Sequence, residues 1–265
     1  MKHIAIILPL FIFSISAFAV PISIPNASFE TELVSRGYDT DATVNGQMED
    51  TDILAITNLN LANSSSMTGV LDLSDFVNIT NLNISQATIS SLDITSLTSL
   101  DYLTLDNLPN LTSIDLSNNT AMTGYYFNNT ALVSIDLKNH LNTYAGNIYN
   151  NSSLSALKIN SSAGAYNTSI NFGNNNPLLT CVEVDDLTAA QNKVSSGFWI
   201  TGGKTLSLIC PPPVAAVVML PTSITLPQLS NSDISAISNP QPGMMTWSID
   251  DNCVKVYNGT SWNCL

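Results

Sequence analysis

The chain has 265 residues and a formal net charge of −13, because 20 Asp and Glu face only seven Lys and Arg. Proteins that bind nucleic acid need a basic surface that displaces counterions from phosphates, and this sequence has no basic cluster, so we expect no nucleic-acid partner. The four Cys all lie in the last third of the chain and indicate an oxidising compartment.

Residues 1–19 predict an export signal. Lys2 and His3 precede the apolar run 4–13, which is followed by Ala17-Phe18-Ala19, a small-x-small pattern typical of signal peptidase sites. The run is too short to span a membrane, and no other stretch reaches about 18 apolar residues. We therefore expect no transmembrane segment and a mature protein that is secreted or displayed at the cell surface.

Residues 20–55 predict an N-terminal cap with one short helix. Asn26 is a suitable N-cap, Phe29 and Leu33 share one helix face, and Gly37 can end the helix. Such a helix covers the open apolar end of a repeat array.

The segment Asp39-x-Asp41-x-Thr43-x-Asn45 has the spacing of a calcium-binding loop. Its sixth position is Val44 instead of Gly, and its twelfth is Asp50 instead of Glu. We therefore interpret the segment as a capping turn and predict no metal site.

Residues 56–180 repeat an apolar-x-apolar pair, and every second pair recurs after 21 to 23 residues. This period predicts a solenoid, in which each coil buries its apolar face only by stacking on its neighbours. The pairs are Leu59/Leu61, Leu71/Leu73, Leu82/Ile84, Leu92/Ile94, Leu103/Leu105, Ile114/Leu116, Tyr125/Phe127, Ile135/Leu137, Asn147/Tyr149, Leu157/Ile159 and Ile170/Phe172. The pattern is weakest in residues 144–171, where Gly146 and Asn147 stand at expected apolar positions.

The residues between the members of each pair point outward and form two chemically different sets. The first set is Asp72, Asp93, Asp115, Asp136 and Lys158. The second set is Asn60, Asn83, Thr104, Tyr126, Ile148 and Asn171. The carboxylates predict either a cation-binding ladder or, as we favour, solvated Asp in exposed turns. A further polar series, predicted to bond the turns, is Asn63, Gln86, Asn107, Asn129, Asn151 and Asn174.

The last third of the chain predicts three segments. Residues 181–210 break the period and are interpreted as a C-terminal cap, Pro211–Pro213 as a stiff linker, and residues 214–265 as a small β module. A two-residue Asn258-Gly259 hairpin turn places Cys253 opposite Cys264, which predicts that disulfide and leaves Cys181 to pair with Cys210.

Candidate catalytic residues are scarce, and we predict no enzyme and no cofactor. A His-based site in the mature chain would depend on His140 alone, which lies in a predicted turn and is expected to be exposed. The Asp set lies on an open surface, where the raised pKa of an acid catalyst is not expected.

The repeats at Leu111-Thr-Ser-Ile-Asp-Leu-Ser-Asn-Asn-Thr-Ala121 and Leu132-Val-Ser-Ile-Asp-Leu137 resemble those of secreted bacterial leucine-rich-repeat proteins of the internalin type. Ile24-Pro-Asn-Ala-Ser-Phe29 and Leu179-Thr-Cys-Val-Glu-Val-Asp-Asp186 resemble the two caps of that group. The resemblance implies a leucine-rich-repeat solenoid, mostly β with a short capping helix, followed by the small C-terminal β module. It also implies that one side is a concave parallel sheet.

By this resemblance the concave sheet presents the expected ligand-binding residues, which are Asn60, Asn83, Tyr102, Thr104, Tyr126 and Ile148. The leading hypothesis is an extracellular recognition or adhesion protein that binds a protein or glycan at the cell surface. Tyr102 and Tyr126 are the expected anchors, because aromatic side chains dominate interface energies. A shifted register would instead turn Tyr125 outward. The alternative hypothesis is a structural spacer or stalk, attached through residues 214–265; the sequence does not indicate the oligomeric state.

Overall fold

The computed structural model describes residues 19–161, 169–210 and 226–265. These residues belong to two compact units, Met1–Pro213 and Val214–Leu265. The predicted export signal, apart from Ala19, and the predicted Pro linker lie outside the described residues. Within the described ranges, no helix is long and apolar enough to cross a membrane.

The first unit contains three helices in its described part, which are α1 Ala27–Ser35, α2 Asp50–Ala55 and α3 Leu187–Ser195. Its strands, in chain order, are β1 Pro21–Ser23, β2 Gln47–Glu49, β3 Asn58–Leu61, β4 Thr68–Asp72, β5 Asn81–Ser85, β6 Thr88–Asp93, β7 Tyr102–Leu108, β8 Gly124–Thr130, β9 Ser134–Leu137, β10 Ala145–Tyr149, β11 Ala156–Ile159, β12 Ser169–Asn171, β13 Cys181–Val184, β14 Trp199–Ile200 and β15 Thr205–Ser207.

Strands β3 to β15 form the leucine-rich-repeat solenoid predicted from the sequence, and β1 and β2 form a separate antiparallel pair before it. One side is a seven-stranded parallel sheet, the long sheet, in the order β14-β12-β10-β8-β7-β5-β3. Neighbouring strands of this sheet come from successive coils, so each strand pairs with the strand about one repeat later in the sequence. Leu59, Leu82 and Leu103 are paired across three strands and are buried, and the other inward residues extend this apolar core along the array.

The opposite side of the solenoid is less continuous. Strands β4 and β6 form a two-stranded sheet, and β9, β11, β13 and β15 form a second parallel sheet. Between them, residues 111–116 form no strand, although Leu111 and Leu116 are buried. The predicted pair Ile114/Leu116 is therefore only partly realised, because Ile114 stays half-buried.

The register of β10 differs from the expectation. Gly146 and Ile148 point inward and Asn147 points outward, paired with Tyr126 on β8. Ile148 has 0% exposure, so its prediction as a surface ligand-binding residue is wrong. A Cβ atom at Gly146 would overlap the ring of buried Tyr125, which explains why glycine stands at an apolar position.

The predicted polar series at the strand ends is mostly a series of left-handed residues. Positive φ occurs at Asn63, Gln86, Asn107, Asn129, Asn150 and Asn175. Asn is favoured there because its short polar side chain tolerates this backbone conformation. In the last two coils these residues replace the predicted Asn151 and Asn174.

Asn151 does not adopt the left-handed conformation at the strand end; its side chain is fully buried and bonds to the preceding coil. Its Oδ1 accepts hydrogen bonds from the main-chain N–H of Thr130 at 2.9 Å and from the Thr130 hydroxyl at 2.6 Å. Its Nδ2 donates to the carbonyl of Phe127 at 3.1 Å. Asn151 therefore satisfies buried polar groups of the preceding coil.

Side chains that precede β3 in the sequence bond to the first strands of both sides. Asn26 accepts hydrogen bonds from the N–H groups of Ser28 and Phe29 at the start of α1, and it donates to the carbonyls of Thr68 and Val70 on β4. The Tyr38 hydroxyl donates to Asn58 O and accepts from Asn60 N on β3. Both edge strands thereby lose groups that could pair with another chain.

Residues 181–210 add one more coil to the array. Strand β14 extends the long sheet and β15 extends the opposite sheet, with α3 between β13 and β14. Buried Trp199 packs edge to face against Phe172 at 6.0 Å. The predicted disulfide between Cys181 and Cys210 is present, with the two Cα atoms 5.8 Å apart.

The second unit is a small β module. Its described elements are β16 Gln228–Leu229, α4 Asn231–Ala236, β17 Met245–Ser248, β18 Cys253–Tyr257 and β19 Trp262–Cys264, with the four strands in chain order in one sheet. The predicted Cys253–Cys264 disulfide is present.

The hairpin of this module is wider than predicted. Tyr257 pairs with Trp262, so the loop contains four residues, 258–261, instead of two. The Asn258 side chain accepts from the N–H groups of Thr260 and Ser261 and holds the wider loop. The Tyr257 and Trp262 rings contact each other beside it, with centroids 5.4 Å apart.

Candidate functional site

The centre of the long sheet presents a group of aromatic and polar side chains on its outward face. We define the tyrosine patch as Tyr102, Thr104 and Asp106 of β7, Tyr126 and Asn128 of β8, and Asn147 and Tyr149 of β10. Strand pairing aligns them in rows, because Thr104 is opposite Tyr126 and Tyr126 is opposite Asn147. All seven side chains are half-buried.

Tyr102 lies low on the sheet. Its pairing partner on β8 is Gly124, and a Cβ atom at Gly124 would overlap the edge of the Tyr102 ring. The ring therefore leans across β8 in the space that the missing side chain leaves. The next residue in the row, Ala145, is also small and leaves the surface beyond the ring open.

Tyr126 and Tyr149 form an aromatic pair in the patch. Their ring centroids are 6.1 Å apart in an edge-to-face arrangement with an interplanar angle of 78°. The Tyr149 hydroxyl donates to Asn147 Oδ1 at 2.6 Å. These contacts fix the orientation of three side chains on two neighbouring strands.

Asp106 carries the only formal charge in the patch. Its Oδ1 accepts a hydrogen bond from Asn128 Nδ2 at 2.7 Å, and among the described residues Oδ2 has no donor. The pKa of Tyr126 is raised, first by burial and then by Asp106, Tyr149 and Tyr102. Tyr126 is therefore a neutral phenol at neutral pH and lies close to the other three groups.

The structure brings together only some of the residues predicted from the sequence. Tyr102, Thr104 and Tyr126 are neighbours in the patch, and Tyr125 is buried, which excludes the shifted register. Asn60 and Asn83 lie nearer the N-terminal edge, where Asn83 Nδ2 donates to Asn60 Oδ1 at 3.1 Å.

Sequence reasoning missed Asp106, Asn128, Asn147 and Tyr149. Asp106, Asn128 and Tyr149 lie two residues beyond a residue of the outward row, so strand alternation could have identified them. Asn147 was missed because the expected register turned it inward. The signal for the true register was the small residue Gly146, next to a coil that carries the large Tyr125.

The Asp set of the opposite side caps turns. Asp93 Oδ1 accepts from the N–H and hydroxyl of Thr95, and Asp115 Oδ1 accepts from the N–H of Ser117. These hydrogen bonds hold the pKa of Asp93 and Asp115 below the usual range, with burial acting weakly the other way. Asp72 and Asp136 accept in the same way from Ser74 and Lys138.

The calcium-like segment is also a turn held by side chains. Asp41 Oδ1 accepts from the N–H and hydroxyl of Thr43, and Asp41 Oδ2 accepts from Asn45 Nδ2. Hydrogen-bond donors thus already surround this carboxylate. Within residues 19–161, 169–210 and 226–265, no three His, Cys, Asp or Glu side chains form a group that could hold a metal ion.

His140 is not exposed, contrary to the expectation. It has 3% exposure, and neither ring nitrogen has a hydrogen-bond partner among the described residues. Burial lowers its pKa, while the main chain of Leu137 and then the charge of Asp136 oppose the shift. The N–H of His140 donates to the carbonyl of Leu137, as the N–H of Leu97 donates to the carbonyl of Ile94. His140 therefore occupies the core position that Leu97 has in an earlier coil.

No protein-family model and no curated protein matches the sequence. Two similar solved structures are an internalin (InlF) and the functional domain of InlJ, both from Listeria monocytogenes. The InlF structure has 20% identity and a TM-score of 0.36, and the match covers 74% of this chain and 75% of that chain. The InlJ structure has 22% identity and a TM-score of 0.34, and the match covers 63% of this chain and 38% of that chain.

Proposed function

We propose that the protein is an extracellular recognition protein that binds its partner through the outward face of the long sheet, with the tyrosine patch at the centre of the contact. The observation that carries this proposal is the cluster of Tyr102, Tyr126 and Tyr149 on three adjacent strands. Half-buried aromatic side chains that are already ordered lose little entropy on binding, and they supply much of the energy of typical interfaces.

The cost of the patch to the fold also supports a binding role. Gly124 begins β8 and Gly146 is the second residue of β10, and glycine loses more conformational freedom on folding than any other residue. Gly146 admits the core residue Tyr125, but Gly124 admits only the ring of Tyr102 on the outward face. An outward ring does not need such room for the core, so its accommodation favours a function at the surface.

The extracellular location rests on the predicted export signal and on the two disulfides, Cys181–Cys210 and Cys253–Cys264. Disulfides persist in oxidising compartments and are rare in reducing ones. A recognition role is also consistent with the prediction of no cofactor, because recognition needs only a shaped surface.

The test is binding of fluorescent mature protein, residues 20–265, to a panel of intact bacterial and eukaryotic cells in flow cytometry. The double variant Tyr102→Ser with Tyr126→Ser should lose at least about 90% of the binding, since removal of two anchors costs several kcal/mol. The matched control is Tyr144→Ser, which removes an exposed tyrosine that precedes β10 and lies outside the patch.

Equal binding of the double variant and the parent protein would exclude the patch as the contact surface. That result would favour the alternative of a spacer or stalk without a specific ligand at this sheet. Circular dichroism and the unfolding midpoint of the double variant must match those of the parent protein for the comparison to hold.

A further inference from the structure

The charge of the long sheet restricts the class of ligand. Its outward positions from β3 to β14 are Asn58, Asn60, Asn81, Asn83, Ser85, Tyr102, Thr104, Asp106, Gly124, Tyr126, Asn128, Ala145, Asn147, Tyr149, Ser169, Asn171 and Ile200. None is Lys, Arg or His. An anionic ligand would therefore meet one carboxylate and no cation, on a chain whose net charge is −13.

The basic residues that a phosphate, sulfate or uronic acid would need lie elsewhere. Lys138 and Lys158 both pair with Glu183 on the opposite side, with the Lys158 Nζ to Glu183 Oε1 distance at 3.7 Å. Arg36 pairs with Glu32 on α1 at 2.9 Å. These three cations are committed to structural ion pairs, and none lies on the outward face of the long sheet, which favours a neutral ligand.

The lack of aliphatic side chains on the outward face of the long sheet favours a carbohydrate ligand over a protein ligand. From β5 to β12 no outward residue is Leu, Ile, Val, Met or Phe. The core of a protein interface is enriched in aromatic residues, Met and Arg, with polar residues at the rim. The outward face of the long sheet has tyrosine at its centre but neither Met nor Arg, and amides and hydroxyls surround the rings.

Neutral sugars match this combination of groups. A pyranose has hydroxyls that both donate and accept, and C–H groups that form apolar patches able to lie against an aromatic ring. Tyr102 supplies a ring that lies low over Gly124, and Asp106 Oδ2 supplies an acceptor with no donor among the described residues. Tyr149 orients Asn147 by a hydrogen bond of 2.6 Å, which fixes the direction of its amide.

The repeat geometry suits a ligand that is itself a chain. Asn83, Thr104, Tyr126, Asn147 and Asn171 are paired across five consecutive strands. Neighbouring strands are about 4.8 Å apart, so the row presents one polar or aromatic group per coil along the solenoid axis. An oligosaccharide that crosses the strands meets such a group at each coil.

We infer that the tyrosine patch binds a neutral oligosaccharide that lies across β7, β8 and β10. This inference rests on the proposed function and names its ligand class. Tyr102 and Tyr126 contact the apolar faces of sugar rings, while Asp106 and Asn147 bind hydroxyls. A protein ligand is the competing outcome.

The experiment has a direct arm with purified ligands. Mature protein is screened on immobilised oligomers of glucose, galactose, mannose, xylose and N-acetylglucosamine, together with sulfated, sialylated and uronic acid oligomers. We expect binding to at least one neutral oligomer, weakened at least about tenfold by Tyr102→Ala and by Asp106→Ala, and unchanged by Tyr144→Ala. The affinity for that oligomer should hold between low and high salt, because no ion pair forms.

Binding to acidic oligomers alone, or to no neutral oligomer, would overturn the inference. A second arm separates that failure from failure of the proposed function. Cells that bind the protein are treated with periodate, which destroys sugar diols, or with protease. Patch-dependent binding that survives periodate and is lost after protease would identify a protein ligand and leave the recognition function standing. Cell binding that is unchanged by the patch variants would exclude both the inferred oligosaccharide site and the proposed function of the patch.

Discussion

The two sides of the solenoid use their outward polar residues in different ways. On the opposite side, Asp93 and Asp115 accept hydrogen bonds from the turns that follow their own positions. On the long sheet, Thr104, Tyr126 and Asn147 stand on strands whose main chains are already paired. The side chains of the first group complete the fold, whereas those of the second group are held by a fold that is complete without them.

This difference teaches that a conspicuous sequence pattern can serve the turns of the fold. The regular carboxylates of the opposite side are repeated because each coil needs the same turn. The residues of the tyrosine patch differ from coil to coil, because the main chain beneath them does not depend on their identity. Substitutions on the two sides should therefore affect stability and binding in opposite proportions.

The largest loss of stability is expected where a polar side chain is most fully used by the fold. Asn151→Ala removes partners from the buried Thr130 N–H and the Phe127 carbonyl. We expect a loss of about 3 kcal/mol in the free energy of unfolding, because each buried group left unpaired costs about 1 to 3 kcal/mol. Urea unfolding measures it, and Asn150→Gly, which changes the exposed neighbour and tolerates its positive φ, should cost much less. Equal losses for both variants would contradict the role of Asn151.

A second large effect is expected beneath the long sheet. Gly146→Ala places a methyl group where the Tyr125 ring lies. We expect a loss of about 2 kcal/mol, since overpacking of a core typically costs about 1 to 3 kcal/mol. The thermal unfolding midpoint is the measurement. Adding Tyr125→Leu to Gly146→Ala should recover part of the loss, and a double variant no more stable than Gly146→Ala alone would refute the proposed clash.

The pH dependence of stability should identify buried His140 on the opposite side. Its folded-state pKa lies below the unfolded value because burial disfavours the charged ring. The unfolded chain therefore takes up a proton first as the pH falls through about 6.5, and stability is lost between about pH 7 and pH 5. One such group contributes at most about 1.4 kcal/mol per pH unit.

His140→Leu should reduce this acid sensitivity, because Leu97 occupies the equivalent core position two repeats earlier in the array. Unfolding midpoints of the parent protein and the variant at pH 7 and pH 5 provide the comparison. An unchanged difference between the two pH values would show that His140 titrates normally in the fold.

The smallest changes in stability are expected for exposed polar residues, and they allow a direct comparison of the two sides of the solenoid. Asp93→Ala removes the acceptor for Thr95, and we expect a loss below about 1 kcal/mol, because the group is well exposed and such hydrogen bonds are screened by water. Asp93→Asn keeps the acceptor and should retain most of the stability. Thr104→Ala on the long sheet should stay within about 0.5 kcal/mol of the parent protein. A larger cost at Thr104 than at Asp93 would reverse the comparison between the two sides.

The lowered pKa of Asp93 adds a pH test of the same turn. The folded-state pKa lies below the unfolded value, so the stabilisation is present above about pH 4 and is lost as the pH falls through the folded pKa. Asp93→Asn should remove this part of the acid sensitivity. Stability curves of the two proteins that run parallel below about pH 4 would exclude the contribution.

Much of the fold could be predicted because the relevant signals are local. Alternation of apolar residues fixes which side chains face inward on a strand, and the spacing of the pairs fixes the length of a coil. The helix signals at Asn26 and Gly37 are local as well, and the structure has α1 between them. The Cys253–Cys264 bridge was predicted although the turn beside it was predicted too short.

The candidate site was predicted less completely because it depends on contacts between coils. The sequence by itself determined a repeat of about 22 residues with two chemically different sides, and the resemblance carried by its repeats placed Tyr102, Thr104 and Tyr126 on the side without the Asp set. Only the tertiary structure decided that Gly146 faces the core beside Tyr125, that Ile148 is buried, and that Tyr149 joins Tyr126. The reason is physical: alternation is a property of one strand, whereas the choice of register follows from the space that the neighbouring coil leaves free.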